Sequence, residues 1–396
     1  MVQQKLVFSE KKNKDDGGHQ DELKPQLRFP EFTDDWKESN LGNLFNFSVA
    51  GDMDKELFSE IRDGEFKYPL YANALEKEGL LGYYKESKYV ADSITITARG
   101  NIGHSIVRKS DFNAIGRLII LNSKKELNND FFSEYINSNL KIYIESTGVP
   151  QLTAPSLKIN KVKYPSLDEQ NQIANFILAI NKKIELLEKK YKNKLIFKEE
   201  FFNNYISNMG DEIQKIKLES LIKISTEKNK NNEDMQVLSI SNKLGFISQE
   251  EQFEDRIVAS SDTKNYKIVK KGYFAYNPAR INVGSIAQLK DYDEGIVSPM
   301  YVVFKIDEDL INPTFFENYI STNYFKIEIL KRLEGSVRLI LSADSLKNIE
   351  INVPPLEEQE KISLFMDSLS KGIELSKKEL EKIKYFKKGL LQKMFI

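Results

Sequence analysis

The chain has 396 residues, no cysteine, two histidines and a formal net charge of −1. That length exceeds one ordinary core and calls for two or more domains, while the missing cysteines exclude disulfides and thiolate zinc sites and two histidines exclude a histidine-rich metal centre. The near-neutral balance does not mark a nucleic-acid binder, so any positive surface must arise by local clustering, and no apolar run approaches the ~20 residues of a membrane span.

Residues 1–24 read as a disordered leader, polar and charged, without the apolar stretch of a signal peptide. Together with the absence of cysteine this fits a cytoplasmic chain. Residues 25–164 form a first globular region, opened by a docking segment at 25–36. Within it "SITITARGNIGHSIV" alternates apolar and polar and is rich in β-branched residues, which predicts strand. "NDFFSEYINSNLKIYIES" predicts a short helix with Asn or Asp near its start.

Residues 165–209 open with "PSLDEQNQIANFILAINKKIELLEKK" and predict a long helix. Pro165 stands where a missing N–H costs little, and Ser166 with Glu169 has the spacing of a capping box. Ile173, Ile177, Ile180, Ile184, Leu187 and Tyr191 follow a 3.5-residue period, the seam of a coiled coil rather than the broad stripe of a globular helix. Residues 210–353 form a second globular region, with a strand predicted in "VSPMYVVFKI" and short helices in "NPTFFENYISTNYFKIEILKRL". Residues 354–396 open with "PPLEEQEKISLFMDSLSKGIELSKKE", a second long helix whose seam is Ile362, Met366, Leu369, Ile373, Ser376, Leu380 and Ile383. Pro355 replaces the serine and loses the cap, and Ser376 marks a local weak point in the seam.

The two long helices are one pattern written twice, 189 residues apart. Upstream, "FFSEYINSN" (Phe131–Asn139) recurs as "FFENYISTN" (Phe315–Asn323), "ARGNIG" as "ARINVG", and "KESNLGNLF" more faintly as "QKIKLESLI". Two copies are too few for a solenoid and suggest a pseudo-twofold object. The expected fold is α+β: two pseudo-twofold-related α/β domains separated by two long helices that form an antiparallel coiled coil, each seam facing the other. From Asp168 to Ile206 such a helix spans roughly 58 Å at 1.5 Å per residue.

Catalytic motifs are missing. There is no G-x-x-x-x-G-K-[ST] loop, no G-x-G-x-x-G after a strand, no serine elbow and no carboxylate pair suited to a two-metal nuclease. "YNPAR" (Tyr276–Arg280) shares only its first residues with the Asn-Pro-Pro-aromatic motif of adenine methyltransferases. What remains is a set of candidate contacts. Arg99, Asn101, His104 and Arg108 lie in or beside a Gly-bearing hairpin, and Arg280, Asn282 and Ser285 occupy the matching place in the second copy. Arginine and asparagine make two-pronged hydrogen bonds to guanine and adenine edges. Gln151 and Thr153, and Ser336 and Arg338, lie in the stretches before each long helix, within reach of phosphates or bases. Each of these also reads as an ordinary solvated turn residue, and the two stretches also read as loops that dock each domain on its helix.

The order "RFPEFTDDWKESNLGNLF", a globular region, "PSLDEQNQIANFI", a second globular region and "PPLEEQEKISLFM" ending in "KKGLLQKMF" resembles the specificity subunit of type I restriction–modification systems. The resemblance covers nearly the whole chain after Lys24 and rests on a P-x-L-[DE]-E-Q motif that opens a long helix twice. It implies that the globular regions are target-recognition domains, each reading one half of a bipartite double-stranded DNA site. It implies that the helices set the half-site spacing, about 50 Å or roughly 15 base pairs at 3.4 Å each. It further implies a non-catalytic subunit whose partners are two methyltransferase subunits, which methylate adenine, and restriction/translocase subunits. S-adenosylmethionine, ATP and magnesium would then belong to those partners, with no cofactor on this chain. A competing reading is a coiled-coil protein-interaction scaffold that binds no DNA, which the net charge suits.

Overall fold

The computed structural model describes residues 9–10, 23–140, 150–208, 213–242, 244–248, 262–335 and 339–396. The chain divides into two compact units, one made of the residues up to Leu187 with Glu379–Ile396, the other of Glu188–Lys378. Each unit thus combines one globular region with parts of both long helices, Leu167–Ser207 and Leu356–Met394.

In the first unit an antiparallel sheet orders Phe45–Val49, Ile119–Ser123, Ser93–Ile96 and Ser105–Arg108. In the second unit Ile222–Ser225, Val302–Ile306, Phe274–Tyr276 and Ile286–Gln288 repeat that order, again antiparallel. The predicted strands therefore form, the "SITIT" stretch as one arm of a hairpin. β-branched and aromatic residues suit such half-buried pleated surfaces. A helix covers each sheet: Asn129–Asn139 in the first unit and Pro313–Ile320 in the second. The duplicated Phe-Phe pair explains the seating, because Phe131, Phe132, Phe315 and Phe316 are all fully buried. Phe132 meets Phe45 edge-on at 5.2 Å, and Phe316 meets Phe274 edge-on at 5.2 Å. The second stretch of predicted short helices breaks after Ile320 because Thr322 caps a new helix, Asn323–Lys331, accepting the Phe325 N–H at 3.2 Å.

The outer sheets differ. The first unit carries four strands in the order Asn113–Ala114, Tyr68–Tyr71, Leu80–Tyr84 and Phe58–Ser59. The second has the hairpin Leu238–Ser241/Gly245–Ser248 and the pair Lys267–Lys270/Glu294–Val297. The repeat holds where each region joins its helix and fades here.

At that junction the recurring residues perform one task twice. Lys161–Tyr164 pairs with Lys37–Asn40, and Glu350–Val353 with Gln214–Lys217, which accounts for the faint upstream repeat. The buried Gln170 amide accepts the Asn128 N–H at 3.0 Å and donates to Pro165 O at 3.0 Å. Gln359 likewise accepts the Asn312 N–H at 2.8 Å and donates to Pro354 O at 2.9 Å and Leu310 O at 3.1 Å. Asn128 and Asn312 are themselves the N-caps of the Phe-Phe helices, accepting from the Phe131 and Phe315 N–H groups. Tyr135 and Tyr319 close the latch from the far side: their hydroxyls accept the Lys163 and Asn352 N–H groups at 3.3 and 2.9 Å.

The glutamates beside these glutamines diverge. The capping box expected at Ser166 forms only half: Ser166 Oγ accepts the Glu169 N–H at 3.5 Å, but the Glu169 carboxylate turns to Arg28. Arg28 grips it with both Nε and Nη2, at 2.7 and 2.6 Å, and Trp36 Nε1 adds a third donor at 3.4 Å. The docking segment thus anchors by a two-pronged, buried ion pair. Glu358 is exposed and, among the described residues, accepts only from the Tyr205 hydroxyl, at 3.3 Å.

The seam positions are buried or half-buried. In the first unit Ile173, Ile177, Ile180, Leu187 and Leu380 are buried, and Ile184 and Ile383 are half-buried. Ile173, Ile177 and Ile180 lie in one core with Trp36, Phe131, Leu390, Leu391, Met394 and Phe395. These isoleucines therefore also serve a globular core. In the second unit Ile362 and Met366 are buried with Phe202 and Ile206, while Leu369, Ile373 and Tyr191 are half-buried. Within this unit the helices run antiparallel. Lys194 Nζ donates to Gly372 O and Ser376 Oγ at 2.9 Å, Lys198 Nζ to Ser370 Oγ at 2.8 Å, and the Phe201 and Phe365 rings lie 4.8 Å apart. Ser376 is consequently not the weak point expected, because a cross-helix lysine satisfies its buried hydroxyl. Among the described residues no helix is long and apolar enough to cross a membrane.

The ion-pair asymmetry gives a test. Glu169→Ala removes the buried, two-pronged carboxylate partner of Arg28, a loss of about 3–5 kcal/mol. Glu358→Ala removes an exposed contact and costs under about 1 kcal/mol. Calorimetry of both variants should show a large shift for the first alone.

Candidate nucleic-acid interface

The hairpin of the first unit turns at Thr97–His104. Thr97 N–H donates to His104 O at 3.0 Å and Gly103 N–H to Thr97 O at 2.8 Å. Gly100 and Gly103 have φ of 67° and 89°, which the turn requires and which glycine tolerates. The turn leaves Arg99 and Asn101 exposed. Arg99 Nη2 donates to Gln151 Oε1 at 3.3 Å, and the Leu152 N–H to Ala98 O at 2.9 Å. Two stretches read separately in the sequence therefore meet at one surface. His104 is half-buried. Burial, and then the nearby Arg108 charge, hold its imidazole below the usual range. It is neutral at pH 7 and suited to hydrogen bonding rather than to balancing a phosphate.

Three candidates have other tasks. Arg108 is 4% exposed; its Nε donates to Thr95 Oγ1 at 2.9 Å, its Nη2 to Glu78 O at 3.0 Å, and it lies 3.6 Å from the Tyr71 ring centroid. Thr153 caps the Ala154–Lys158 helix in a capping box with Ser156. In the second unit Ser285 is buried and donates to Ile240 O at 3.3 Å. Hairpin and pre-helix position signalled these residues, but packing and capping engage most of their polar atoms.

Arg280 and Asn282 are exposed, on a short turn at Ile281–Val283 that Gly284 ends with φ of 93°. Asn282 lines a cleft of about 580 Å³ with Ser241, Asn242, Glu317 and Lys326. Ser336 and Arg338 lie outside the described residues. Sequence reasoning missed Asn73, whose side chain accepts the Ala98 N–H at 2.7 Å and donates to Gly116 O; no local pattern distinguishes such an asparagine. It also missed a cleft of about 460 Å³ lined by Arg62, Lys67, Tyr68, Tyr71 and Tyr83, a basic and aromatic mixture of the kind that suits nucleic acid. The candidates that are exposed are Arg99 and Asn101 in one unit and Arg280 and Asn282 in the other, with His104 and Gln151 half-buried.

Comparison with known proteins agrees with this duplicated architecture. The type I restriction modification DNA specificity domain matches twice, at residues 33–195 and 210–385. The type I restriction enzyme MjaVIII specificity subunit of Methanocaldococcus jannaschii is 26% identical over 404 residues, covering 92% of each chain. A putative type I specificity subunit of Mycoplasma pneumoniae is 29% identical over 141 residues, covering 36% of this chain and 39% of its own. Among solved structures, the S subunit of a type I restriction–modification system from M. genitalium superposes with a TM-score of 0.62 at 16% identity, covering 94% of this chain and 99% of that one. The fold is thus shared, and a scaffold unconnected with DNA is not favoured. With both domain matches spanning most of its length, the chain belongs to the type I restriction–modification DNA specificity family, as a specificity subunit for DNA target recognition.

Proposed function

We propose that each unit reads one half of a bipartite DNA target and that the two long helices hold the half-sites at a fixed separation. The subunit would thereby direct methyltransferase and restriction/translocase partners to methylate adenine or to cut. The observation that carries this reading is the duplication itself: one sheet order, one Gln–Asn latch and one long helix occur twice in a single chain, with different outer sheets and different exposed residues. A common frame with divergent tips suits two readers of different sequences. Catalysis, and with it S-adenosylmethionine, ATP and magnesium, would rest with the partners, in the cytoplasm.

Each half-site should respond to one unit alone. Arg99→Ala should cost about 1–3 kcal/mol and relax preference at one half-site, and Arg280→Ala should do the same at the other. Thr153→Ala should instead cost about 0.5–2 kcal/mol of stability through the lost cap, with base preference unchanged. Selection of bound duplexes from a random library reads all three. If Arg99→Ala and Arg280→Ala relax the same half-site, the two-reader division is wrong.

The helices should act as the ruler. One heptad inserted after Leu187 and one after Leu380 adds about 10 Å at 1.5 Å per residue, or about 3 base pairs, while keeping the 3.5-residue seam. The duplex also turns by roughly 100° over that length, given about 10–10.5 base pairs per turn. The expected result is a longer preferred spacer with weaker binding, or loss of specific binding with both units folded. Selection of the parental spacer at parental affinity would rule the helices out as the ruler.

A further inference from the structure

Resting on the DNA-reading function proposed above, we propose that the exposed turn at 74–78 of the first unit is a further DNA-contacting element, with Lys77 as a phosphate ligand and buried Arg108 as the residue that positions it.

Lys77 and Glu78 both occupy the left-handed region, at φ of 47° and 55°, and Gly79 follows at 82°. Such angles strain any residue but glycine. Packing does not demand them, since Leu75, Glu76, Lys77 and Glu78 are all exposed. The turn is imposed from beneath. Arg108 Nη2 donates to Glu78 O at 3.0 Å, and the Ala72 N–H donates to Gly79 O at 2.9 Å. A Cβ at Gly79 would stand 2.5 Å from Ala72 O, so the backbone approach there is as close as glycine permits.

Arg108 is an expensive way to hold a turn. Its guanidinium is buried with two hydrogen bonds and the Tyr71 ring, its Nη1 has no partner among the described residues, and among them no carboxylate forms an ion pair with it, the Glu78 charge acting only from a distance. A buried charge so poorly compensated is unfavourable compared with an apolar side chain of similar length. What it secures is the Glu78 carbonyl and, with it, two strained residues at the surface. The turn also adjoins the Arg99 hairpin. Asn73, one residue before the turn, accepts the N–H of Ala98, one residue before Arg99. Lys77 forms no ion pair with any described residue, so its ammonium is free to meet a phosphate beside the reading surface, although exposed Glu76 and Glu78 flank it.

The test measures binding of the full chain to a random-sequence duplex across a salt series, because phosphate contacts are independent of sequence. Lys77→Gln should lower the slope of log affinity against log salt by about 0.9 in magnitude, the loss of one phosphate contact. Lys77→Gly should lose the same slope while raising the thermal midpoint by about 2 °C, because glycine relieves the strain. That opposition separates a functional turn from a structural one. Arg108→Met should weaken binding by the same factor as Lys77→Gln, and the double variant should be no weaker than either. A wild-type slope in both Lys77 variants overturns the proposal, and additive losses overturn the positioning role of Arg108. Absence of binding by the wild-type chain at low salt would instead overturn the DNA reading on which the proposal rests.

Discussion

A buried glutamine at the start of each long helix holds the architecture together. Gln170 and Gln359 are almost fully enclosed, so every polar atom of their amides needs a partner. Each finds one in the proline carbonyl that precedes the helix and another in the N–H of an asparagine that caps the Phe-Phe helix. One side chain thereby joins three things: the first turn of the long helix, the cap of a short helix, and through that helix the core of the sheet. An unsatisfied buried amide would cost about 1–3 kcal/mol, so the orientation of helix to sheet is specified by hydrogen bonds as well as by packing. The tyrosine hydroxyls add a second specification from the other end of the short helix.

The discontinuous make-up of the units follows from the same arrangement. A long helix leaving one latch travels beyond the region it began in. Phe202 and Ile206, near the end of the first helix, lie in the core of the second unit. Leu390, Leu391, Met394 and Phe395, near the end of the second helix, lie in the core of the first. There Phe395 meets Phe131 edge-on at 5.4 Å, and the Tyr135 hydroxyl donates to Ile396 O at 2.7 Å. Each unit is thus completed by residues remote in sequence, which gives each globular region a fixed relation to both helices within its own unit.

The two copies divide their conservative and divergent parts by physical role. Inner sheet, Phe-Phe helix, latch and helix opening do the same work twice, and the helix, latch and opening share their key residues. The outer strands and the residues at the turns differ, as do the partners of the paired glutamates: Glu169 is gripped by Arg28 and Trp36, whereas Glu358 meets a tyrosine hydroxyl. The docking segment that supplies Arg28 and Trp36 belongs to the first unit.

The duplication, the long helices and their seam were legible in the sequence because they rest on local periodicity and on repetition, signals that survive without knowledge of distant contacts. So was the family resemblance, carried by the P-x-L-[DE]-E-Q motif. The partners of individual polar side chains were not. Glu169 has capping-box spacing, yet an arginine 141 residues away offers a stronger, two-pronged bond. Ser376 looked like a break in an apolar seam until Lys194 reached it from the facing helix. Arg108, Thr153 and Ser285 had the composition and place of surface readers, but burial turned Arg108 and Ser285 inward and a helix cap engaged Thr153. A hydrogen bond between residues far apart in the chain leaves no periodic trace, and which polar groups are left exposed to a partner is decided only when the tertiary fold has satisfied the rest.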